Sequence, residues 1–177
     1  MPNTYDIALS FATEEESLVE TVYHYLKAEG LIVFFAPMPE CQVILSGKNQ
    51  REIFYRIFGI ESEYVALFVS KHYVIKDVPM EEASIAFTKH NNDGKVIPIY
   101  LDGTHLPSTM LNPKKDNYFA SNNAAVIANH IAERIKNTNS SGGHQLASSA
   151  QNSVMNIKDN NAQKQVFVQM LKGDISL

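Results

Sequence analysis

The sequence predicts an α/β protein: a flavodoxin-like doubly wound parallel sheet of four to five strands. Three observations predict it. Short apolar runs at residues 5–11, 31–35, 63–70 and 95–102 alternate with segments whose apolar residues recur at helical spacing. The runs are continuously apolar rather than alternating, the pattern of strands covered on both faces. Each connection is long enough for one helix, and a helical crossover joins parallel strands.

The elements follow in order. "YDIALSF", 5–11, is the first strand. Thr13 and Glu16 have the spacing of a capping box, in which each side chain satisfies an amide of the first helical turn. Leu18, Val19, Val22, Tyr23 and Leu26 form one apolar face, and Gly30 stops that helix. "LIVFF", 31–35, is the second strand, and residues 36–50, with two prolines and a glycine, read as an irregular loop. "REIFYRIFG" carries Ile53, Phe54, Ile57 and Phe58 at helical spacing and ends at Gly59. "EYVALFVS", 63–70, is the third strand. A helix over 79–90 is expected to turn Met80, Ala83, Ala86 and Phe87 inward, and "KVIPIYLD", 95–102, is the fourth strand. A last helix is expected at 122–136, with Val126, Ile127, His130, Ile131 and Ile135 on one stripe.

Beyond residue 136 the composition changes. Residues 137–153 are rich in Gly, Ser and Asn and read as a flexible linker. Residues 154–177 are expected to form a C-terminal β-hairpin or extended tail. A lone hairpin is marginal in water, so the tail is expected to pair, for instance with copies of itself.

Composition excludes several classes of function. The net charge of -4 and the absence of a Lys/Arg run argue against a nucleic-acid partner. The single cysteine, Cys41, allows no internal disulfide and suits a reducing cytosol. No signal peptide or membrane span is expected, so the expectation is a soluble, cytoplasmic domain. The six histidines have neither zinc-ligand spacing nor cysteine companions, so no metal is expected, and His130 reads as a core histidine. "LSGKN", 45–49, has one glycine and Asn after the lysine, so it is not a phosphate-binding P-loop. A phosphoacceptor receiver domain needs an acid at the end of the third strand, where this chain reads "FVSKHY".

In doubly wound sheets ligands sit beyond the carboxyl ends of the strands, which singles out residues 10–14, 36–50 and 70–82. The third of these loops ends in "VPMEEASIAF", with Glu81 and Glu82 side by side. Pro79 suits a first helical turn, and a carboxylate there gains roughly 0.3–1 kcal/mol from the helix dipole, a sufficient account of Glu81. Glu82 points about 100° further round the helix. There it faces the strand ends, suited to ribose hydroxyls and to a cationic transition state. The residues alone leave Glu82 open between a solvated acid and a catalytic one.

Taken together, "YDIALSFA", "AEGLIVFF", "LSGKN", "EYVALFVSKHY", Glu82 and "GKVIPIYLDGT" resemble a TIR domain of the prokaryotic, immune-effector type over residues 5 to about 136. The resemblance implies cleavage of NAD+ at the nicotinamide–ribose bond, with NAD+ as substrate and no cofactor. It implies Glu82 as the catalytic residue, since the family motif after the third strand runs Trp-x-x-x-Glu. Here Val78 stands in the place of the Trp. Ser10, Phe11, Ala12 and Thr13 are implied to line the pocket after the first strand, and Lys48 and Asn49 to close it from the loop the family calls BB. Ala36 stands where many members carry an acid, and Thr13 brings no positive charge. Further implied are homo-oligomers through TIR–TIR contacts and possible use of the tail, a separate sensor or effector protein, and a role in antiphage defence. The alternative is a non-catalytic scaffold for TIR–TIR assembly; a nucleotide-binding module of the same fold with another ligand is the remaining reading.

Overall fold

A computed structural model describes residues 3–90, 93–112, 114 and 118–141. The expected tail at 154–177, and the expected linker from residue 142 onward, lie outside the described residues.

Five parallel strands form one sheet: β1 (Tyr5–Phe11), β2 (Val33–Phe34), β3 (Ser62–Val69), β4 (Val96–Tyr100) and β5 (Phe119–Ala120), in the order β2-β1-β3-β4-β5. The helices are α1 (Glu16–Ala28), α2 (Pro39–Leu45), α3 (Gln50–Arg56), α4 (Asp77–His90) and α5 (Ala124–Ser141). Successive side chains of a strand point to opposite faces, and the register of Ile7 opposite Tyr64 and Leu9 opposite Ala66 carries that alternation across the sheet. Ile7, Leu9, Tyr64, Phe68 and Ile99 pack with Val19, Val22 and Leu26 of α1 and with Ile127, Ile131 and Ile135 of α5. Ala8, Val65, Leu67 and Val69 pack on the other side with Ile53 and Phe54 of α3, Phe58, and Ala83 and Ala86 of α4. The doubly wound fold expected from the apolar runs is the fold observed.

Two local devices set the chain's path. Gly30, at φ +85°, is the left-handed residue after α1. Its amide bonds the Lys27 carbonyl at 3.0 Å while the Leu31 amide reaches Leu26 at 3.2 Å, the paired bonds of a Schellman stop. Pro98 sits inside β4, where a missing N–H is usually unwelcome. The Leu101 amide bonds Val69 of β3, so by alternation the Pro98 nitrogen faces the other way. On that side β5 pairs only with Ile99 and Tyr100.

Several expectations are corrected. The stretch read as an irregular loop contains α2, which starts at Pro39 and buries Cys41. The capping box does not form: Thr13 lies in a 3-10 turn, Thr13–Glu15, and α1 has no side-chain cap. Gly59 does not end α3; it lies within a π-turn, Ile57–Glu61, that leads into β3. The fourth helix begins at Asp77, two positions before the expected start at residue 79, and α5 extends to Ser141, past the expected boundary at 136. Val126 is half exposed, and the buried stripe of α5 runs through Ala128 and Ala132 instead.

Ile131 is fully buried where α5 meets the sheet. Ile131→Ala is expected to lower stability by about 2–5 kcal/mol, read as a fall in the urea midpoint without a change in slope.

Candidate active site

The carboxyl ends of β1 and β3 and the first turns of α4 bring three polar side chains together inside the core. Ser10 falls on the same face of β1 as Ala8, beneath α4, and is buried. Tyr73 comes from a 3-10 turn, Tyr73–Ile75, that follows β3 and is anchored by the Ser70 hydroxyl, which accepts the amides of His72 and Tyr73 at 3.2 Å each. Glu82 lies on the buried face of α4 with Pro79, Ala83 and Ala86. Ser10 Oγ lies 2.6 Å from Glu82 Oε2, in position to donate to the carboxylate. Tyr73 Oη is 2.7 Å from Ser10 Oγ and donates to the Pro79 carbonyl at 2.9 Å.

Glu82 also lines an open cleft of about 760 Å³, within the size range of small-molecule sites. Its floor is apolar, formed by Leu9, Phe34, Phe54 and Phe58, and Thr13, Glu16, Gln42, Lys48 and Gln50 supply polar groups around it. Phe11, Thr13 and Val78 line both this cleft and a second one of about 560 Å³, which continues past them to Ile75, Lys76 and Asp77. Two contacts tie the loop after β1 to the loop after β3: Glu14 pairs with Lys76, and Glu15 lies 3.1 Å from His72.

Of the residues singled out from the sequence, Phe11, Thr13, Lys48, Val78 and Glu82 line the cleft. Ser10 stands behind it, bonded to Glu82. Ala12 is buried in the core on the α4 side, and Asn49 caps α3, its Oδ1 accepting the amides of Arg51 and Glu52. Glu81 does not cap: α4 starts at Asp77, so Glu81 lies in the second turn and pairs with Arg51 at 2.8 Å. Sequence reasoning missed Gln42, because it sits on the unrecognised α2, and the aromatic floor, which it assigned to the core. Glu16 appeared in the sequence only as a capping partner. Tyr73 appeared there only as the last residue of "EYVALFVSKHY", with no signal for its buried hydroxyl. Among the described residues no cluster of three His, Cys, Asp or Glu side chains is placed to hold a metal ion.

Burial pushes the Glu82 carboxyl from its ordinary value of 4.5 up to about 8, against the Ser10 hydrogen bond that lowers it and with the Glu81 charge adding to the rise. Burial likewise raises the Tyr73 hydroxyl well above 10, so it stays neutral. Between pH 4.5 and about 8 the folded chain therefore holds a proton on Glu82 that the unfolded chain has lost. The stability linked to that proton is complete below the lower value and drains away as pH rises toward the upper one. At about 1.4 kcal/mol per pH unit, the loss over this window is on the order of 3–5 kcal/mol. Glu82→Gln cannot titrate. Its stability relative to wild type is expected to climb by that amount from acid to mildly alkaline pH in urea unfolding series, and a flat difference would contradict a proton-holding buried carboxyl.

The geometry can be set beside known proteins. The TIR domain profile matches residues 7–135. A curated relative, the 3' cyclic ADP-D-ribose synthase AaTIR of Aquimarina amphilecti, is 32% identical over 108 residues, covering 60% of this chain and 32% of the relative. The chain thus spans about a third of the length of the curated relative it matches. Among solved structures, the TIR domain of the Toll-related receptor TRR-2 from Hydra magnipapillata aligns with a TM-score of 0.57 at 16% identity, covering 75% of this chain and 99% of that one. That likeness is one of fold. With the profile spanning most of the sheet and all but the end of α5, the chain belongs to the TIR domain family.

Proposed function

We propose that the chain is an enzyme that cleaves NAD+ at the nicotinamide–ribose bond, with Glu82 as its catalytic carboxylate. One observation carries the reading: a buried carboxylate, braced by Ser10, forms part of the wall of an open, mostly apolar-floored cleft that continues into a second cleft. An elongated dinucleotide suits two adjoining concavities better than a compact metabolite does. The bacterial relative's name, a cyclic ADP-ribose synthase, supports the same chemistry.

The chemistry asks little of the protein beyond a placed negative charge. The bond between ribose C1′ and the pyridinium nitrogen breaks, and its electron pair leaves with nicotinamide, which departs neutral. Positive charge then develops on the ribose, and an ionised Glu82 in a low-dielectric wall stabilises it. Water adding at C1′ and losing a proton yields ADP-ribose, whereas attack by a hydroxyl of the same molecule, also losing a proton, yields a cyclic product. Phe11 and Val78 line both clefts, and Thr13, beside them, supplies a hydroxyl. Lys48 is the cation on the first cleft and suits the diphosphate.

The reading extends to a cytoplasmic antiphage effector that works as a homo-oligomer, through TIR–TIR contacts and the 154–177 tail, with or without a separate sensor protein. A non-catalytic scaffold is the second reading, and the observation favouring it is Val78, a partly exposed aliphatic residue where an aromatic wall is expected.

Purified protein incubated with NAD+ at low and high protein concentration is expected to release nicotinamide. Glu82→Gln should lower the rate by at least about 10²-fold. Glu81→Gln, which removes a solvent-facing ion pair and the smallest of the three influences on the Glu82 carboxyl, should stay within about threefold of wild type. The mass of the second product separates hydrolysis from cyclisation. No turnover at any concentration from folded protein would favour the scaffold, and equal losses in the two variants would sink the assignment to Glu82.

A further inference from the structure

The contacts around Glu82 contain more oxygens than an ionised site has protons. Three short contacts run in series: Glu82 to Ser10 at 2.6 Å, Ser10 to Tyr73 at 2.7 Å and Tyr73 to the Pro79 carbonyl at 2.9 Å. The Pro79 carbonyl can only accept. With Glu82 ionised, only the Ser10 and Tyr73 hydroxyls carry protons, so one contact must set two lone pairs face to face. With Glu82 protonated, every contact holds a proton. The acid donates to Ser10, Ser10 to Tyr73, and Tyr73 to Pro79.

We infer that Tyr73 is a positioning residue that acts through Ser10 to keep a proton on Glu82 in the resting site, a proton released when a cationic ligand binds. Its functional meaning rests on the proposed role of Glu82; the proton count does not. The charged groups around Glu82 fit this arrangement. Glu81 on its own helix engages Arg51. Across the cleft Glu16 from α1 and Lys48 from the loop before α3 are exposed to solvent. From the turn after β3 the group that faces Glu82 is the neutral Tyr73. No buried cation among the described residues neutralises the carboxylate, so a positive charge brought by the ligand is what turns the acid into its anion. The proton leaves through the open cleft, Ser10 reverses its hydroxyl to donate to Glu82, and the ligand's charge offsets the contact that loses its proton. A resting site of this kind discriminates between a pyridinium and its reduced, uncharged counterpart by charge alone.

The test titrates the full chain carrying ¹³C-carboxyl-labelled glutamate, with the Glu82 signal assigned by its loss in Glu82→Gln. Tyr73→Phe removes the competing oxygen and leaves Ser10 free to serve the carboxylate, so the Glu82 midpoint is expected to fall by roughly 0.5–1 pH unit, the worth of about one hydrogen bond. In a Ser10→Ala background the same Tyr73→Phe change is expected to leave the midpoint unmoved, because the path between the two groups is cut. An unmoved or raised midpoint in the single variant, or an equal shift in both backgrounds, would overturn the inference. If Tyr73→Phe does not fold, the infrared difference between wild type and Glu82→Gln at neutral pH decides. A protonated carboxyl band is expected, and a carboxylate band alone overturns it. None of these readouts requires turnover. A chain that never cleaves NAD+ but shows the coupled shift refutes the proposed enzyme and keeps the proton network, and an active chain with no shift does the reverse.

Discussion

Everything in this fold follows from covering a parallel sheet on both faces. Strands that must be apolar in both directions leave no place for chemistry along their length, so polar side chains collect where the strands stop. Tyrosines apart, the buried polar side chains among the described residues are Ser10, Ser62, Ser70 and Glu82. Three of these four lie at or beyond the carboxyl ends of β1 and β3, and only Ser62 lies at the opposite end. Ser70 fixes the turn that delivers Tyr73, and Ser10 meets both Tyr73 and Glu82. At these strand ends Ser10, Tyr73 and Glu82 are buried as a connected set.

That set is held against the grain of stability. A carboxyl at the Glu82 position would be replaced at little structural loss by an amide or an apolar residue, since the surrounding helix face is Pro79, Ala83 and Ala86. Keeping an ionisable group there lowers stability over the whole neutral range, and such a sacrifice is characteristic of functional sites. Glu81, its neighbour, shows the contrast. It is partly exposed and paired with an arginine whose side chain is mostly in solvent, an arrangement worth little in energy.

Much of this was legible in the chain, for reasons that particular residues make plain. The apolar runs gave four of the five strands because they are short, rich in strand formers and bounded by turn signals, and β5 escaped notice because Phe119–Ala120 is too short to form a run. The α2 helix was hidden for a related reason. With only Cys41 buried, "PECQVIL" has no stripe, and the signal that remained was Pro39 at its first position. Helical geometry turned Glu82 about 100° away from Glu81 and toward the strand ends, the family resemblance marked it as the catalytic candidate, and the structure brings it beside Ser10. Tyr73 could not be found this way. Its partner Ser10 is 63 residues distant in sequence, and no local pattern records a contact of that range. Asn49 shows the opposite failure: a polar residue in a suspect loop is also what a helix start needs, and here the cap is the role it fills.

The two edges of the sheet carry a consequence for how copies of this domain can meet. Both outer strands, β2 and β5, are two residues long. An edge that short offers almost no row of free amides and carbonyls for a neighbouring chain to extend, which is how natural sheets resist sticking to one another in solution. The domain can therefore be crowded against its own kind without zipping into a continuous sheet. Within the described residues, helix surfaces and loops, whose side chains can be specific, are left to meet a neighbouring copy.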